Sequence, residues 1–263
     1  MLLGVDVGGT FTDAVLVVGD RLHTAKAPST PRDQSEGVMH AVRAALEAAG
    51  AEPGDVEIFA HGMTVATNAL LEGNGARTAL VATEGFTDLV ELGRQARREL
   101  YRLCAAHPAP LVPPERRFAA PERMGPDGVL RELSEAAAAG VADAVARAEP
   151  EAVAVCLLHA YRHPEHERVV GEALRERLGD DVHVSLSHET VGTFREYERA
   201  ATTEVDAALS PLLAAYLRRL VERTKDEGLP TPAIMQSSGG LADVDVAAGH
   251  AAFTVLSGPA GGA

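Results

Sequence analysis

Short apolar runs and glycine turns alternate over the first part of the chain. One run, Leu2–Val7, is apolar apart from Asp6, and the next, Phe11–Val18, is rich in β-forming residues. Gly8-Gly9-Thr10 separates them, and a turn of this kind between apolar runs is typical of a β-hairpin. A third run at Leu22–Ala27 completes a predicted antiparallel meander.

Helix and strand patterns alternate along the rest of the chain. The predicted helices are 29–49, 64–71, 86–92, 134–148, 164–178 and 197–225, and the predicted strands are 56–60, 77–82, 152–158, 182–186, 233–236 and 253–256. Pro211 lies inside the longest helix, where a kink or a split is expected. Residues 105–128 are rich in proline and charge and predict a long ordered loop or a crossing between subdomains. Strands that alternate with helices after an antiparallel start imply a mixed α/β sheet.

Composition limits the kind of protein and its partners. The chain has 263 residues, of which 46% are hydrophobic but only 4% aromatic, so a core built mainly from alanine, valine and leucine is expected. This length allows one large domain or two small ones. The formal net charge of -14 argues against nucleic acid or an anionic membrane as a partner. No apolar run approaches the roughly 20 residues that a membrane span needs.

The two cysteines, Cys104 and Cys156, are far apart in the sequence and fit a reducing cytoplasm rather than a disulfide framework. The N-terminus also lacks the basic stretch and the long apolar run of a signal peptide. Cys156 and the histidines after it match no common zinc spacing, so a buried strand followed by a helix that starts at Pro164 is the favoured interpretation. Cys104 is not expected to be a nucleophile, because no neighbouring group favours its thiolate.

Segment 6–13, with the sequence DVGGTFTD, carries the strongest chemical signal. Glycines let a backbone approach a ligand closely, and exposed N–H groups at such a turn bind anions. The predicted phosphate-binding residues are Gly8, Gly9, Thr10 and Thr12. Asp6 would hold Mg²⁺ through water or orient the attacking group, since a carboxylate that ends an apolar strand is costly to bury without a role. The alternative is a plain hairpin with a Gly-Gly turn.

The same segment resembles the first phosphate loop of the actin, sugar-kinase and heat-shock ATPase superfamily, whose two similar domains each place such a hairpin against ATP. Further segments are similar to motifs of the hydantoinase/5-oxoprolinase family: HGMTVATNALL at 61–71, GFTD to GRQ at 85–95, REYER at 195–199, MQSSGG at 235–240 and LSGPAGG at 256–262. They cover the whole chain in order, so the chain is identified as a member. The family includes ATP-dependent 5-oxoprolinases, N-methylhydantoinases and an acetone carboxylase subunit.

The resemblance implies an α/β fold of the actin-like ATPase (ribonuclease H-like) type, with a mixed sheet, antiparallel N-terminal strands and flanking helices. Residues 1–190 would form the family's N-terminal domain, and residues 191–263 would begin its main domain. In the family, a second phosphate hairpin and the adenosine pocket follow the last motif. The chain is therefore expected to be the first half of a two-domain ATPase, a fragment that is inactive alone.

The resemblance also implies the chemistry. ATP phosphorylates the ring carbonyl oxygen of a cyclic amide, and water then opens the ring, giving glutamate from 5-oxoproline or an N-carbamoyl amino acid from a hydantoin. Asp6 would be a catalytic and Mg²⁺-binding residue, and Gly258 and Gly261 of the last motif would join the phosphate site. Asp13 would be a second catalytic carboxylate, with a solvent-facing strand residue as the alternative.

The motif at 61–71 supplies the predicted substrate-binding residues His61, Thr64, Thr67 and Asn68. Polar groups at a strand end and a helix start lie where α/β sheets bind ligands. The alternative is a helix cap at Thr64 beside a satisfied histidine. Met63 replaces a usual threonine in this motif, which removes a hydroxyl.

Arg94 would clamp a substrate carboxylate, because the guanidinium group makes paired contacts with carboxylates. The alternative is a solvated arginine, the interpretation favoured for Arg97 and Arg98. Segment 195–199 alternates in charge at a helix start and is interpreted as a salt-bridged surface or an interdomain contact.

The implied partners are a cyclic amide substrate and a hydantoinase B-type half, either fused or a separate subunit, within a cytoplasmic oligomer. One alternative function is that of an acetone-carboxylase-type ATP-dependent subunit. Another is a nucleotide-dependent reactivating chaperone on the same ATPase fold. A sugar kinase is disfavoured because its substrate motifs are not apparent.

Overall fold

A computed structural model describes residues 1–96, 101–102 and 109–257. The strands of this part are β1 Leu2–Val7, β2 Phe11–Val18, β3 Arg21–Pro28, β4 Ile58–Met63, β5 Thr78–Thr83, β6 Arg117–Ala120, β7 Arg123–Gly125, β8 Gly128–Arg131, β9 Ala152–Cys156, β10 His183–Leu186, β11 Ala233–Met235 and β12 Leu241–Ala242. The helices are α1 Gln34–Ala49, α2 Val65–Glu72, α3 Leu89–Leu92, α4 Glu135–Ala146, α5 Glu165–Leu178, α6 Ser187–Thr190, α7 Glu196–Asp226 and α8 Val244–Gly249, with 3₁₀ turns at Pro53–Asp55, Pro114–Arg116 and Ala251–Thr254.

The chain divides into two compact units. The first unit comprises Met1–Asn74 and Leu209–Ala263, and the second unit comprises Gly75–Ala208. The division predicted from the sequence, at residues 190 and 191, stays a prediction. No helix in the described part of the chain is both long enough and apolar enough to cross a membrane.

The first unit is built on a six-stranded mixed sheet with the order β12-β11-β4-β1-β2-β3. Strands β1, β2 and β3 form the predicted antiparallel meander, whereas β4 runs parallel to β1 and β11 runs parallel to β4. Along β1, Leu3, Val5 and Val7 are buried, and α1 packs against the meander. Because side chains alternate along a strand, Asp6 lies on the other face of the sheet.

The second unit contains a four-stranded parallel sheet with the order β10-β9-β5-β6. All five residues of β9 and all six of β5 are buried, as expected for parallel strands that are covered on both faces. Helices α4 and α5 pack against one face, where Val141 and Leu174 join the core. Ala207 of α7 packs among side chains of the other face, such as Leu80 and Ala154. Strands β7 and β8 form a separate hairpin.

Three details of the sequence prediction need correction. The proline-rich segment predicted as a loop, residues 105–128, contains strands β6 and β7 and the first residue of β8 in its described part. Residues 253–256, predicted as a strand, lie in a 3₁₀ turn, Ala251–Thr254, and the residues after it, because a short apolar run does not distinguish the two structures. Helix α7 is not split at Pro211, since Leu209 and Leu213 on either side are fully buried and hold the helix against the core.

Candidate functional site

The turn between β1 and β2 is fixed from within the first unit. The amide of Gly8 donates to the carbonyl of Phe11 at 3.0 Å, and the hydroxyl of Ser29 donates to the carbonyl of Gly8 at 2.8 Å. A Cβ on Gly8 would lie only 3.1 Å from the Phe11 oxygen, so glycine fits best here. The amides of Gly9 and Thr10 donate no hydrogen bond to any described residue, and they remain available to an anion.

Asp6 lies beside this turn on the exposed face of the sheet. It pairs in register with Asp13 of β2 and with Gly62 of β4. A Cβ on Gly62 would lie 3.1 Å from Oδ1 of Asp6, so the glycine makes room for the carboxylate. Partial burial and then the negative charge of Asp13 raise the pKa of Asp6. The protein therefore holds a carboxylate where its negative charge is disfavoured unless a cation is near.

Asp13 and Thr12, on β2, have different surroundings. Asp13 forms an exposed ion pair with Lys26, at 2.6 Å, as a solvent-facing strand residue would. Thr12 is fully buried, and its hydroxyl lies 3.1 Å from that of Ser29, so it supports the turn from inside. A catalytic role for Asp13 and direct phosphate contact by Thr12 stay predictions.

The start of α2 lies against the turn. The hydroxyl of Thr64 donates to the carbonyl of Val7 at 2.9 Å and accepts no hydrogen bond from the amides at the start of α2, so the Thr64 side chain does not cap α2. The side-chain amide of Asn68 lies 3.4 Å from the Thr64 hydroxyl and 3.5 Å from the position that a Cβ of Gly9 would take. Two of the predicted substrate-binding residues therefore lie next to the predicted phosphate turn.

Three of the family-like motifs meet in the first unit. The hydroxyl of Thr67 donates to the carbonyl of Val255, and that of Ser257 donates to the carbonyl of Met63 at 3.0 Å. The amide of Leu256 donates to the hydroxyl of Ser237 at 3.0 Å. These bonds bring the motif at 61–71 together with the motif at 235–240 and the start of the last motif. Gly258 and Gly261 lie outside the described residues, and their phosphate role stays a prediction.

His61 and Met63 of the first of these motifs point into the core. Both side chains are fully buried. Nε2 of His61 lies 2.7 Å from the hydroxyl of Tyr216, and burial lowers the pKa of His61 to about 4. The imidazole is therefore neutral at pH 7. Direct contact between His61 and a substrate stays a prediction, because in this structure the ring borders Tyr216.

A cavity of about 370 Å³ opens beside Gly9 within the first unit. Its walls come from the start of α1, from α2 and from α7, and the lining residues are Gly9, Ser29, Pro31, Arg32, Gln34, Val65, Asn68, Ala69, Glu72, Asn74, Leu212, Tyr216 and Arg219. Gly9 and Asn68 belong both to this cavity and to the turn. The sequence indicated these two residues but gave no sign that α7, which begins only at Glu196, would supply a wall.

The other two family-like motifs meet in the second unit. Both Nε and Nη2 of Arg94 donate to Oε1 of Glu198, and a Cβ on Gly93 would lie 3.6 Å from the ring of Tyr197. The hydrogen bond from Arg94 lowers the pKa of Glu198. Arg94 is thus already paired with a carboxylate of its own chain. Its predicted contact with a substrate carboxylate stays a prediction, and Arg97 and Arg98 lie outside the described residues.

Arg199 is fully buried, so the expectation of a solvent-exposed surface is wrong for this residue, whereas the interdomain alternative stays a prediction. Its guanidinium donates to the carbonyl of Leu157 at 2.7 Å, to the hydroxyl of Ser187 at 3.0 Å and to the carbonyl of Thr193 at 3.2 Å. Arg199 lies four residues before Thr203, which is also buried. Both residues are polar, so their helical spacing forms no apolar stripe, and the sequence carries no signal that Arg199 would be a core residue.

Two buried carboxylates of the second unit were not singled out from the sequence. Nδ1 of His166 lies 2.8 Å from Oε2 of Glu122, and Thr83 donates to the other oxygen of that carboxylate. Glu167 accepts hydrogen bonds from the amides of Leu157 and His188. Among the described residues, no set of three His, Cys, Asp or Glu side chains is placed to hold a metal ion.

Cys156 is buried at the end of β9, and burial raises the pKa of its thiol to about 12. It is therefore protonated at neutral pH. Cys104, which was not expected to be a nucleophile, lies outside the described residues.

Two family profiles match consecutive regions of the chain. The family profile for the hydantoinase/oxoprolinase N-terminal region matches residues 2–178, and the hydantoinase/oxoprolinase profile matches residues 199–263. The chain is 35% identical to 5-oxoprolinase 1 of Arabidopsis thaliana over 289 residues, which cover 98% of the chain and 22% of that relative.

Two related proteins can be compared with the chain through their solved structures, and one of them is named as a subunit. The caprolactamase subunit alpha of Pseudomonas jessenii is 34% identical over 98% of the chain and 38% of that subunit, and the crystal structure of this ATP-dependent caprolactamase superimposes with a TM-score of 0.88. A nucleotide-free acetone carboxylase structure, from work on ATP-dependent acetone carboxylation, gives a TM-score of 0.88 at 26% identity over 99% of the chain and 39% of its own. The chain thus spans about two fifths of these proteins, and the predicted α/β fold class is confirmed.

Proposed function

Because the chain belongs to the hydantoinase/oxoprolinase family, we propose that it supplies the first phosphate-binding half of an enzyme that hydrolyses a cyclic amide with ATP. The ring would be 5-oxoproline, opened to glutamate, or a hydantoin, opened to its N-carbamoyl amino acid. The names of two relatives, 5-oxoprolinase and caprolactamase, support a cyclic amide as the substrate. The caprolactamase structure supports the use of ATP.

One observation carries the proposal: Asp6 lies next to a rigid glycine turn whose tip amides are unpaired among the described residues. Backbone amides at a turn bind phosphate without side-chain charge, so the acidic surface of the protein is no obstacle. A plain hairpin turn would not require the exposed carboxylate of Asp6, or the glycine at position 62 that makes room for it.

The surroundings of Asp6 also fit Mg²⁺. This ion is held by one or two carboxylates and keeps several of its water molecules, and Asp6 provides one carboxylate with Asp13 as its neighbour. A bound cation would favour the charged carboxylate and so oppose the rise that burial and Asp13 cause in the Asp6 pKa. When bound, Mg²⁺ neutralises charge on the phosphates of ATP.

The residues of this chain would act mainly by positioning. The amides of Gly9 and Thr10 would donate to phosphate oxygens, and the side-chain amide of Asn68 would face the group that is transferred. The ring carbonyl oxygen attacks the γ-phosphorus and ADP leaves. Water then adds to the activated carbon, and the carbon–nitrogen bond breaks with a proton going to nitrogen, which leaves an acyl phosphate. A second water molecule hydrolyses the acyl phosphate to the carboxylate and inorganic phosphate.

A second candidate function is that of an ATP-dependent carboxylase subunit of the acetone carboxylase type. The observation that favours it is the structural likeness to acetone carboxylase, which is as close as that to caprolactamase by TM-score. The sequence identity to the acetone carboxylase structure is lower, 26% against 33%. We therefore place the cyclic amide first.

The proposal includes a hydantoinase B-type partner, as a separate subunit or a fused domain, in a cytoplasmic oligomer. It is supported by the relative named as a caprolactamase subunit alpha. The 5-oxoprolinase relative, of which this chain covers only 22%, fits the fused arrangement.

The test is phosphate release from MgATP by the complete enzyme with its partner half, in the presence of 5-oxoproline, hydantoin, caprolactam, or acetone with bicarbonate. Stimulation by one cyclic amide, reduced about 100-fold in Asp6→Asn, is the expected result. Asp20→Asn, an exposed aspartate in the turn after β2, is the matched control and should leave the stimulation unchanged. Stimulation by acetone and bicarbonate alone would favour the carboxylase instead.

A further inference from the structure

Three charged side chains form one row on the exposed face of the first unit's sheet. Asp6 of β1 lies opposite Asp13 of β2, and Asp13 lies opposite Lys26 of β3. Partners in register point to the same face of a sheet, so the side chains of Asp13 and Lys26 lie on the face that carries Asp6. Like charges directly opposite each other destabilise a sheet, and the repulsion between Asp6 and Asp13 requires a cation nearby to offset it.

Lys26 is held next to the glycine turn. Its ammonium nitrogen lies 2.6 Å from Oδ1 of Asp13 and 5.0 Å from the centre of the Phe11 ring. Phe11 directly follows Thr10, whose amide donates to no described residue. The carboxylate and the ring thus keep a positive charge beside the turn, which lowers the entropy cost of using it for a ligand. The Lys26 side chain is still 57% exposed, so a ligand can reach it.

Lysine is a rare choice of cation in this chain. Only two of its 24 lysine and arginine residues, Lys26 and Lys225, are lysines. Arginine presents a planar fork that matches a carboxylate, whereas lysine carries a compact point charge on a flexible stem. An ion pair with Asp13 alone would suit either residue. A point charge that turns from a carboxylate to a phosphate favours lysine, which binds phosphate in other nucleotide sites.

The charges of the row determine what a ligand at the turn meets. Asp6 and Asp13 together carry two negative charges, which would cancel the two positive charges of a bound Mg²⁺. Lys26 then supplies the net positive charge of the row toward a polyphosphate. The amides of Gly9 and Thr10 add only partial charges.

We propose that Lys26 leaves Asp13 when MgATP binds at the glycine turn and contacts a phosphate oxygen, as a further phosphate-binding residue. This inference rests on the proposed function. Asp13 then has a defined task, because it keeps the ammonium group beside the turn until the nucleotide arrives. Asp13 thus acts through Lys26, as a positioning residue.

Lysine acetylation in the complete enzyme tests the proposal, because Lys26 and Lys225 are followed in the same molecule. An acetylating N-hydroxysuccinimide ester is added with and without MgATP, and peptide mass spectrometry gives the rate at each residue. We expect MgATP to slow acetylation of Lys26 about tenfold, since its contact with phosphate must first break, and to leave Lys225 unchanged. Adenosine, which has no phosphate, should protect neither residue. Equal rates at Lys26 with and without MgATP would overturn the proposal.

Binding of MgATP to variants of the complete enzyme gives a second measurement. Lys26→Met should raise the dissociation constant about tenfold, the usual effect of one hydrogen bond to a charged group, and Lys26→Arg should restore part of the affinity. Lys225→Met is the matched control, because Lys225 is an exposed lysine of α7 outside the row. Equal constants for Lys26→Met and Lys225→Met would contradict the proposal. Melting curves identify a variant that does not fold, in which case the acetylation rates of the wild type decide.

Replacement of Asp13 distinguishes a phosphate contact from a purely structural ion pair. Asp13→Asn removes the partner of Lys26 and leaves the ammonium group free to reach the phosphates. The variant that combines Lys26→Met with Asp13→Asn should therefore bind MgATP about tenfold more weakly than Asp13→Asn alone. If Lys26 served only to neutralise Asp13, these two variants would bind equally, and the proposal would be wrong.

The proposed function and the role of Lys26 can fail separately. Protection of Lys26 by MgATP, without phosphate release stimulated by any cyclic amide, would leave this inference and remove the function. Phosphate release stimulated by a cyclic amide and dependent on Asp6, with MgATP binding indifferent to Lys26→Met, would do the reverse.

Discussion

In the first unit the carboxylate of Asp6 stands at an exposed sheet face, whereas in the second unit the guanidinium of Arg199 is completely enclosed. Both residues lie in regions that the hydantoinase/oxoprolinase profiles match. Around Asp6, the turn amides have no partners among the described residues, and the carboxylate has a raised pKa. Around Arg199, hydrogen bonds occupy all three guanidinium nitrogens. The comparison teaches that the first segment leaves polar groups unpaired among the described residues, whereas the second uses its buried guanidinium to join chain segments within the unit.

Replacement of Arg199 should have the largest effect on stability. Arg199→Met removes a buried charge together with its hydrogen bonds to the carbonyls of Leu157 and Thr193. The expected loss in free energy of unfolding is about 3 to 5 kcal/mol, measured by urea denaturation. Arg195→Met, a change of an exposed arginine in the same motif, is the control and should cost less than about 0.5 kcal/mol. Equal losses in the two variants would contradict the core role of Arg199.

Glu204 should give the second unit a distinctive pH dependence. Burial raises the pKa of Glu204 to about 7, and the charge of Arg117 opposes this rise with a smaller effect. Because the pKa of Glu204 is higher in the folded than in the unfolded state, its contribution to the free energy of unfolding is full below about pH 4.5. This contribution is lost as the pH rises through about 7. The loss is about 3 kcal/mol. Glu204→Gln should therefore be more stable than the wild type at pH 8 and similar at pH 4, as followed by urea denaturation at each pH.

His61 should give the first unit the opposite dependence. Burial lowers the pKa of His61 to about 4, so its contribution is full above about pH 6.5 and is lost as pH falls toward 4. The expected loss is also about 3 kcal/mol at the acid end. His61→Gln should flatten the acid side of the stability profile. If stability decreases at acid pH to the same extent in His61→Gln as in the wild type, the imidazole is not held neutral.

A pair of helix glycines gives the smallest predicted effect. A Cβ on Gly171 of α5 would lie 2.9 Å from Cδ1 of Leu186, whereas a Cβ on Gly140 of α4 meets nothing within 4 Å. Gly171→Ala should cost about 1 to 3 kcal/mol through overpacking, and Gly140→Ala should gain up to about 1 kcal/mol through helix propensity. Thermal melting of both variants is the measurement. A stabilised Gly171→Ala would mean that α5 shifts freely away from β10.

Much of the fold follows from local sequence signals. The glycine turns predicted the meander β1 to β3. Gly50, with a φ of 62°, ends α1 where the sequence predicted. The strands β6 to β8 were missed because they are three or four residues long and lie among prolines. Such short strands depend on partners distant in the chain, which local patterns do not contain.

The candidate site was predictable only in part. Gly8 and Asp6 were identified because glycines let a backbone approach a ligand closely and a carboxylate that ends an apolar strand is costly to bury without a role. Tyr216 and Arg219 were not, because α7 meets α2 only in three dimensions. His61 illustrates the limit, since its motif indicated a ligand contact but its burial follows from the register of β4 beside β1.

The central claim is that the first unit holds the phosphates of MgATP at the glycine turn with help from Asp6. The most direct test is the dissociation constant of ATP in the complete enzyme, with Mg²⁺ and with a chelator, for the wild type, Asp6→Asn and the control Asp20→Asn. We predict that Mg²⁺ tightens binding at least about tenfold in the wild type and in Asp20→Asn but not in Asp6→Asn. An equal effect of Mg²⁺ in all three proteins would contradict the account.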